Sequence, residues 1–414
     1  MKILHVVQGY YPAIGGTEWL IQRLSEELVR QFRDDVTVFT TDCLNGEGFF
    51  KPGAPRLKAG WEERQGVKIR RFPVRRRVSG FLRKVQFLPY HLSLPGNQYL
   101  RLLASGPLIP ELKKAIQEHP AEIITSASFP LRHMFTAQQA ALQTRRPCIL
   151  VGCLHPADRW GFQRPMIYKA IRKANCYVAN TEFEANYVIS RGADADKVVV
   201  IGAGVDLDLF KEISPKEAKD RLGIRDQPLI GFIGQVAAAK GIHVLLKAMQ
   251  EVWRLFPEAH LLIAGASTLF VETLEKMIGR LPESQQKQII RRYDFSPQEK
   301  PWLFAAIDLL AYPSGYESFG ISFVEAWACK KPVIGGRRGA VASLTTGGRD
   351  SLLIKHQVHQ DLAEAIILLL SNPDWAKQLG AAGFQKAADR YNWPEIARRF
   401  RLIYQRVCAS PLAP

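Results

Sequence analysis

Short apolar runs rich in β-branched residues alternate along the chain with longer segments in which apolar residues recur every three or four positions. The first pattern predicts buried strands and the second predicts amphipathic helices, as in 17–32, where Leu20, Leu24 and Leu28 form one stripe. Their alternation predicts strand-helix-strand units and a parallel sheet. Strands are predicted in the first half at 2–7, 36–40, 67–72, 122–125, 148–151, 176–179 and 198–201.

The same alternation restarts in the second half of the chain, with strands predicted at 229–233, 260–264, 308–312, 332–334 and 351–354. A chain of 414 residues is long enough for two domains. We therefore predict an α/β protein of two doubly wound, Rossmann-like domains, 1–205 and 206–390, with a C-terminal helix over 391–414 that packs back on the first. Ligands of such sheets bind beyond the carboxyl ends of the strands, which predicts a site in a cleft between the domains.

Charge and cysteine content narrow the class of protein. The chain carries 56 Lys and Arg against 39 Asp and Glu, a net charge of +17, which predicts an anionic substrate or partner. Six cysteines without a close pair or metal-ligand spacing predict reduced thiols in a cytoplasmic protein. No apolar run approaches the length of about 18 residues needed to span a membrane.

The segment 64–101 interrupts the regular alternation. It holds ten Lys or Arg and no Asp or Glu, interleaved with aromatic residues and leucines such as Phe81, Phe87 and Leu88. This composition suits the anionic inner face of a membrane, and a solvated cationic face is the alternative. RNA could also bind such a surface, but none of the known RNA-binding modules is visible, so no nucleic acid is expected.

The strongest chemical signal is the phrase from Glu317 to Glu325, which follows the predicted strand 308–312 and the turn 313–315. Phe319 and Gly320 open a helix between the two carboxylates. Glutamates so placed can accept hydrogen bonds from a ligand rich in hydroxyl groups, while the free backbone N–H groups of the helix start can bind oxygen or phosphate.

This phrase, continued by Ala326-Trp-Ala328 and Lys331-Pro-Val-Ile334, resembles the Glu-x7-Glu motif of the retaining group 1 glycosyltransferases, which have the two-domain GT-B fold. The resemblance extends over nearly the whole chain. It implies that Glu317 contacts the donor sugar together with Ser318 and the backbone of Phe319 and Gly320, and that Glu325 binds the ribose hydroxyls.

A second element is the run from Gly231 to Gly234, followed by Gln235 and by Lys240 before a predicted helix. A strand, glycines and a cation at a helix start form a phosphate site. The resemblance implies that Lys240 binds the donor diphosphate, but Gln235 stands where the family has an arginine. Either another cation substitutes, with Arg337 and Arg338 as candidates, or the donor binds more weakly.

Two further elements lie in the first half. Gly15 and Gly16, between the first strand and the first helix, resemble the family's Gly-Gly loop, which approaches the donor phosphate and the reacting centre. His155, after the strand 148–151, corresponds to a family histidine that contacts the donor sugar and supports catalysis. Asn180, Thr181 and Glu182 resemble the family's segment that leads from the next strand into its helix, and the resemblance implies that they line the acceptor side.

Together these elements predict a retaining transferase that moves a sugar from a UDP- or GDP-linked donor to a lipid-linked or polysaccharide-type acceptor. No cofactor or metal is expected, because the Asp-x-Asp pairs 194–196 and 206–208 flank a strand rather than a phosphate loop. The alternatives are a sugar phosphorylase or nucleotide-sugar epimerase of the same fold, and an inactive binding protein, which Gln235 alone favours. The protein is expected in the cytoplasm, with the inner face of the membrane as a second location.

Overall fold

The structure is a computed structural model that describes residues 1–13, 15–211, 213–315 and 317–409. The chain forms two compact units. The N-terminal unit comprises residues 1–203 together with the C-terminal helix from Trp393, and the C-terminal unit comprises residues 204–392. The predicted α/β class with two Rossmann-like sheets is confirmed.

The N-terminal unit is built on an eight-stranded sheet with the strand order β3-β4-β2-β1-β5-β6-β7-β8. All neighbouring strands pair in parallel except β3, which pairs antiparallel with β4 at one edge. The strands are β1 (Lys2–Val6), β2 (Asp35–Thr41), β3 (Gly60–Arg64), β4 (Val67–Phe72), β5 (Ile123–Ala127), β6 (Cys148–Val151), β7 (Cys176–Ala179) and β8 (Val198–Val200).

In chain order, the helices within residues 1–203 are α1 (Gly16–Phe32), α2 (Arg76–Val85), α3 (Phe87–His91), α4 (Asn97–Ser105), α5 (Leu112–Glu118), α6 (Arg132–Gln143), α7 (Arg159–Phe162), α8 (Pro165–Lys173) and α9 (Glu182–Ser190). Helices such as α1 flank this sheet because they present an apolar face to it, here Leu20, Leu24 and Leu28, whereas α2 and α3 bury no apolar side chain. Short 3-10 turns lie at Gly46–Phe49 and Ala195–Lys197.

The C-terminal unit is built on a six-stranded parallel sheet with the order β11-β10-β9-β12-β13-β14. Its strands are β9 (Leu229–Ile233), β10 (His260–Gly265), β11 (Ile289–Tyr293), β12 (Leu309–Tyr312), β13 (Val333–Gly336) and β14 (Leu352–Ile354). From β9 the chain adds β10 and β11 on one side of the sheet, and it then crosses to the other side of β9 to add β12, β13 and β14. A topological switch of this kind creates a crevice at the carboxyl ends of β9 and β12.

The helices of this unit are α10 (Pro215–Asp220), α11 (Ile242–Leu255), α12 (Phe270–Ile278), α13 (Glu283–Lys287), α14 (Lys300–Ala306), α15 (Ile321–Ala328), α16 (Gly339–Leu344), α17 (His359–Ser371) and α18 (Pro373–Arg390). Short 3-10 turns lie at Leu207–Phe210 and Ala238–Lys240. Trp327 of α15 is completely buried.

The last helix, α19 (Trp393–Ala409), packs on the N-terminal unit against α1. Its Tyr404 is fully buried, and its hydroxyl is hydrogen-bonded to Nε2 of His5 at 3.0 Å and to Oγ1 of Thr125 at 3.1 Å. Arg401 of the same helix pairs with the buried Asp34 at 3.0 Å. All three polar contacts join residues far apart in the sequence, so they fix the position of α19 on the N-terminal unit.

Two strands were not predicted from the sequence. Both β3 and β11 lie at sheet edges, and β3 is almost fully exposed, so neither shows the apolar run that marks a central strand. Among the residues that the structure describes, no helix is long and apolar enough to cross a membrane.

Candidate functional site

The loop after β12 and the turn before α11 meet at the carboxyl end of the C-terminal sheet. Gly241 has φ 78°, and a Cβ atom there would lie 2.6 Å from the carbonyl oxygen of Pro313, so only glycine allows this approach. Lys240 Nζ lies 2.5 Å from Oε1 of Glu317, and both side chains are mostly buried. The structure therefore brings together two predicted site residues that are 77 positions apart in the sequence.

The crevice beside this pair is lined by glycines for a steric reason. A Cβ atom on Gly234 would lie 2.4 Å from the hydroxyl of Tyr312, and one on Gly265 would lie 1.6 Å from the carbonyl oxygen of Gly234. Glycine at these two positions therefore lets the ends of β9, β10 and β12 pack closely together at this edge. Gln235, which follows β9, is exposed at the same place.

The start of α15 is anchored over the crevice. Gly320 is the N-cap residue with φ 108°, a conformation that favours glycine, and Ser322 donates from Oγ to the carbonyl oxygen of Ile233 at 2.7 Å. Phe319 is buried and packs edge-to-face against Tyr391. These contacts hold the free backbone N–H groups of α15 near the end of β9. Ser318 is half-buried beside them, whereas Tyr316 lies outside the described residues.

Glu325, one turn further along α15, is 6% exposed and pairs through Oε1 with Nζ of Lys300, the first residue of α14. Lys300 was not recognised in the sequence. The signal that could have revealed it is its position, because the helix dipole disfavours a cation in the first turn of a helix. A nearby carboxylate would offset that unfavourable interaction.

The two arginines considered as substitutes at the Gln235 position lie after β13. Both are exposed, and Arg337 donates to the carbonyl oxygen of Leu353. Burial, followed by the charge of Arg338, lowers the pKa of His356, whose ring fills the space over Gly315. Arg338 is therefore near the loop that precedes Glu317, and its role in donor binding stays a prediction.

The region around Tyr293 and Asp294, for which the family resemblance implies contacts with the donor base, has its own hydrogen bonds. Asp294 has φ 49° and accepts from the backbone N–H of Ser267 at 2.8 Å, and these hydrogen bonds lower the pKa of its carboxyl group. The hydroxyl of Tyr293 donates to Glu275 at 2.6 Å. Neither contact distinguishes uracil from guanine.

In the N-terminal unit, Gly15 and Gly16 lie where α1 begins. Gly15 is the N-cap residue, and a Cβ atom there would lie 2.2 Å from Oε2 of Glu18, so a larger residue would displace that carboxylate. Burial raises the pKa of Glu18, which is also hydrogen-bonded to Gln8. The neighbouring Ile14 lies outside the described residues.

His155 lies in the loop after β6. Its carbonyl oxygen accepts from the backbone N–H of Asp158 at 2.9 Å, and its ring packs edge-to-face on Phe162. Asp158 caps α7 by accepting from the N–H of Gly161. Local contacts thus support the loop, and the imidazole is half-buried at the carboxyl end of the sheet.

The residues after β7 have structural contacts of their own. Thr181 caps α9 by accepting from the N–H of Glu184, and Asn180 donates to the carbonyl oxygen of Gly152. Glu184 is fully buried, accepts from the hydroxyl of Tyr177, and has a pKa raised by burial. Glu182 alone of the predicted acceptor-side residues is exposed.

The Asp-x-Asp pairs bind protein groups. Asp194 accepts from the backbone N–H of Asp196, and Asp208 pairs with Lys211 at 2.6 Å. No three His, Cys, Asp or Glu side chains in the described part of the chain lie close enough together to hold a metal ion. Independence from metal stays a prediction.

The segment 64–101 divides into buried and exposed cations. Arg71, Arg76 and Arg101 are at least 94% buried and bind carbonyl oxygens of their own unit. Other side chains of the segment form an exposed apolar surface along α2, α3, the loop that follows and the first turn of α4. Its exposed side chains are Val78, Phe81, Val85, Phe87, Leu88, Leu92, Leu94 and Tyr99, with the exposed cations Arg75, Arg77, Arg83 and Lys84 beside them.

Solved structures with the same fold cover nearly the whole chain. The chain superposes on HepE of Anabaena in complex with UDP and glucose, with a TM-score of 0.73, 20% identity and coverage of 98% of this chain and 99% of that one. Sucrose-phosphate synthase of Thermosynechococcus elongatus gives a TM-score of 0.71 at 20% identity, covering 99% of this chain and 100% of that one. The fold is that of the GT-B glycosyltransferases.

Family comparisons identify the family within this class. Residues 214–386 match the model of the glycosyl transferases group 1, and residues 15–204 match that of the glycosyl transferase 4-like domain. The chain belongs to the group 1 glycosyltransferases, which confirms the resemblance found in the sequence.

Curated relatives share more sequence with the chain than these solved structures do, but the match covers only part of each protein. D-inositol 3-phosphate glycosyltransferase of Segniliparus rotundus is 28% identical over 251 residues, which cover 59% of this chain and 55% of that protein. Alpha-maltose-1-phosphate synthase of Mycolicibacterium smegmatis is 26% identical over 229 residues, covering 52% and 58%. The chain thus spans little more than half the length of the curated relatives it matches.

Proposed function

We propose that this protein is a retaining glycosyltransferase that moves a sugar from a UDP- or GDP-linked donor to a lipid-linked or polysaccharide-type acceptor. The observation that carries the proposal is the Lys240–Glu317 pair, seated beside the glycine-lined crevice and the start of α15. A cation and free helix N–H groups suit a diphosphate, and a carboxylate suits sugar hydroxyls.

The proposed chemistry assigns one task to each group. The acceptor oxygen bonds to the anomeric carbon as the bond from that carbon to the diphosphate oxygen breaks, and the acceptor proton passes to the departing phosphate. Lys240 and the N–H groups of α15 stabilise the charge that develops on the diphosphate. Glu317 orients the sugar hydroxyls, and the roles that the family resemblance implies for His155, Gly15 and Gly16 stay predictions.

Donor binding and transfer are the direct test. UDP-glucose is the first donor to try, because the HepE structure of the same fold holds UDP and glucose, and GDP-linked sugars follow. We expect calorimetric binding of one nucleotide, weakened by Lys240→Met about tenfold to a hundredfold, since hydrogen bonds to charged groups contribute about 1.5 to 3 kcal/mol. Glu317→Gln should lower the rate of sugar transfer more than it lowers nucleotide affinity.

The matched control is Lys276→Met, which breaks an exposed ion pair with Glu272 in the same unit and should leave affinity unchanged. A wild-type protein that binds no UDP- or GDP-linked sugar would refute the proposal. Transfer of the sugar to inorganic phosphate alone would instead indicate a phosphorylase. Stereochemistry of the product, read by NMR from the anomeric coupling constant, tests retention.

The proposed acceptor class rests on the exposed surface of α2 and α3. Val78, Phe81 and Val85 follow one another at helical spacing, so they share one face of α2, with Arg77 and Lys84 flanking it. Phe81 is 67% exposed. An amphipathic face of this kind suits a membrane interface, where each cation near anionic lipid contributes about 1 kcal/mol.

Vesicle sedimentation tests this part of the proposal. Binding should be stronger to phosphatidylcholine vesicles that contain phosphatidylserine than to vesicles without it, and should weaken with salt. Phe81→Ser should release the protein, whereas Leu269→Ser, at a fully exposed leucine of the C-terminal unit, should not. Equal binding by both variants, or transfer to inositol 3-phosphate, the acceptor named for the curated relatives, would count against a lipid-linked acceptor.

A further inference from the structure

The carboxylate of Glu325 is partnered on one oxygen only. Oε1 accepts from Nζ of Lys300, whereas Oε2 is buried and has no hydrogen-bond partner among residues 1–13, 15–211, 213–315 and 317–409. A carboxylate oxygen that is removed from water normally has a donor, because an unsatisfied one raises the free energy of the folded state. The second oxygen is therefore suited to a donor supplied by a ligand.

The position of this carboxylate agrees with a ligand role. α14 and α15 follow the parallel strands β11 and β12, so the first turns of both helices lie at the carboxyl end of the sheet. Lys300 begins α14, and Glu325 lies in the second turn of α15, whose start is tied to the end of β9 by Ser322. Glu325 thus lies at the end of the sheet that carries the Lys240–Glu317 pair.

We propose that Lys300 is a positioning residue for the ribose of the donor nucleotide. By binding Oε1 of Glu325 it holds the carboxylate in one orientation, so that Oε2 accepts a hydrogen bond from a ribose hydroxyl. Lys300 acts through Glu325 and does not itself bind the nucleotide. The inference rests on the proposed function, since it requires a nucleotide in this crevice.

Discrimination between ribose and deoxyribose is the measurement that isolates this role. Calorimetry with UDP and 2′-deoxy-UDP, or with GDP and 2′-deoxy-GDP if guanine is the base, gives the affinity ratio. We expect wild type to prefer the ribonucleotide by about tenfold or more, as for a hydrogen bond to a charged group. In Lys300→Met the ratio should fall towards that of Glu325→Ala, and Lys300→Arg should restore it.

A merely structural Lys300 would affect both nucleotides equally and leave the ratio at the wild-type value, which would overturn the inference. The matched control is Lys386→Met, which breaks the Lys386–Asp350 pair of 2.7 Å in the same unit and should keep the ratio. If Lys300→Met does not fold, Lys300→Gln, whose shorter side chain keeps a polar end, takes its place, and its ratio should fall in the same way while Glu325 is retained. A wild type that binds no nucleotide would overturn the proposed function as well.

Discussion

Acid should destabilise the N-terminal unit through two buried histidines. His5 of β1 and His133 of α6 are both almost completely buried, and burial lowers the pKa of His5 from 6.5 to about 3 and that of His133 to about 4. Each imidazole is held neutral by the fold. His5 is hydrogen-bonded to Ser25 and Tyr404, and His133 Nε2 to the carbonyl oxygen of Ala127 at 2.7 Å.

The sign and size of the effect follow from proton linkage. Above pH 6.5 the histidines are neutral in the folded and unfolded chain, so their neutral burial carries no penalty. As the pH falls below 6.5 the unfolded chain binds protons that the folded unit cannot, and stability is lost until the folded pKa values near 4 and 3 are reached. At about pH 5 the loss is about 2 kcal/mol for each histidine.

The assay compares wild type with His133→Gln, whose amide N–H can replace the bond to Ala127. Urea titrations give the free energy of unfolding at about pH 7.5 and at about pH 5. The loss of unfolding free energy between these two pH values should be about 2 kcal/mol smaller in the variant than in wild type. Hydrogen–deuterium exchange of peptides covering β5 and α6 assigns the change to the N-terminal unit. His91→Gln, at an exposed histidine on α3, is the control. An identical acid loss in wild type and His133→Gln would refute the reasoning.

Two further predictions concern the C-terminal unit. Gln235→Arg should tighten UDP binding by about tenfold to a hundredfold in calorimetry, because it adds a charge-assisted contact. The control Gln360→Arg adds the same charge on α17 and should leave the affinity unchanged. Equal affinities in the two variants would contradict the prediction. Gly383→Ala should cost about 1 to 3 kcal/mol in thermal unfolding, because its Cβ atom would lie 2.1 Å from Cδ1 of the buried Trp327. Gly279→Ala, where the nearest atom is 3.4 Å away, should instead stabilise by about 0.4 to 1 kcal/mol, and the opposite order of melting temperatures would contradict this.

The local pattern was sufficient for the central strands and for the family. Buried parallel strands are apolar on both faces, so β1, β5, β9 and β12 stand out as runs that periodicity alone detects. The Glu317 to Glu325 phrase is contiguous, so its residues could be read together, and the family match confirms the resemblance. The roles of the individual site residues stay predictions.

Edge strands and long-range contacts were beyond the local pattern. The strand β3 forms because its backbone pairs antiparallel with β4, although its side chains are nearly all exposed. The same limit applies to the cations of 64–101, which look alike in sequence. Arg76 is buried on carbonyl oxygens, while Arg77 beside it is exposed, because consecutive helical positions face different directions.

The sequence by itself determined two Rossmann-like sheets and a group 1 glycosyltransferase, because strand periodicity and the contiguous Glu-x7-Glu motif are local properties of the chain. Tertiary structure decided which charges meet. Lys240 pairs with Glu317 across 77 positions and Lys300 with Glu325 across 25. Such pairs depend on the order of strands in the sheet, which brings the carboxyl ends of β9, β11 and β12 to one edge. No periodicity within either segment encodes that proximity.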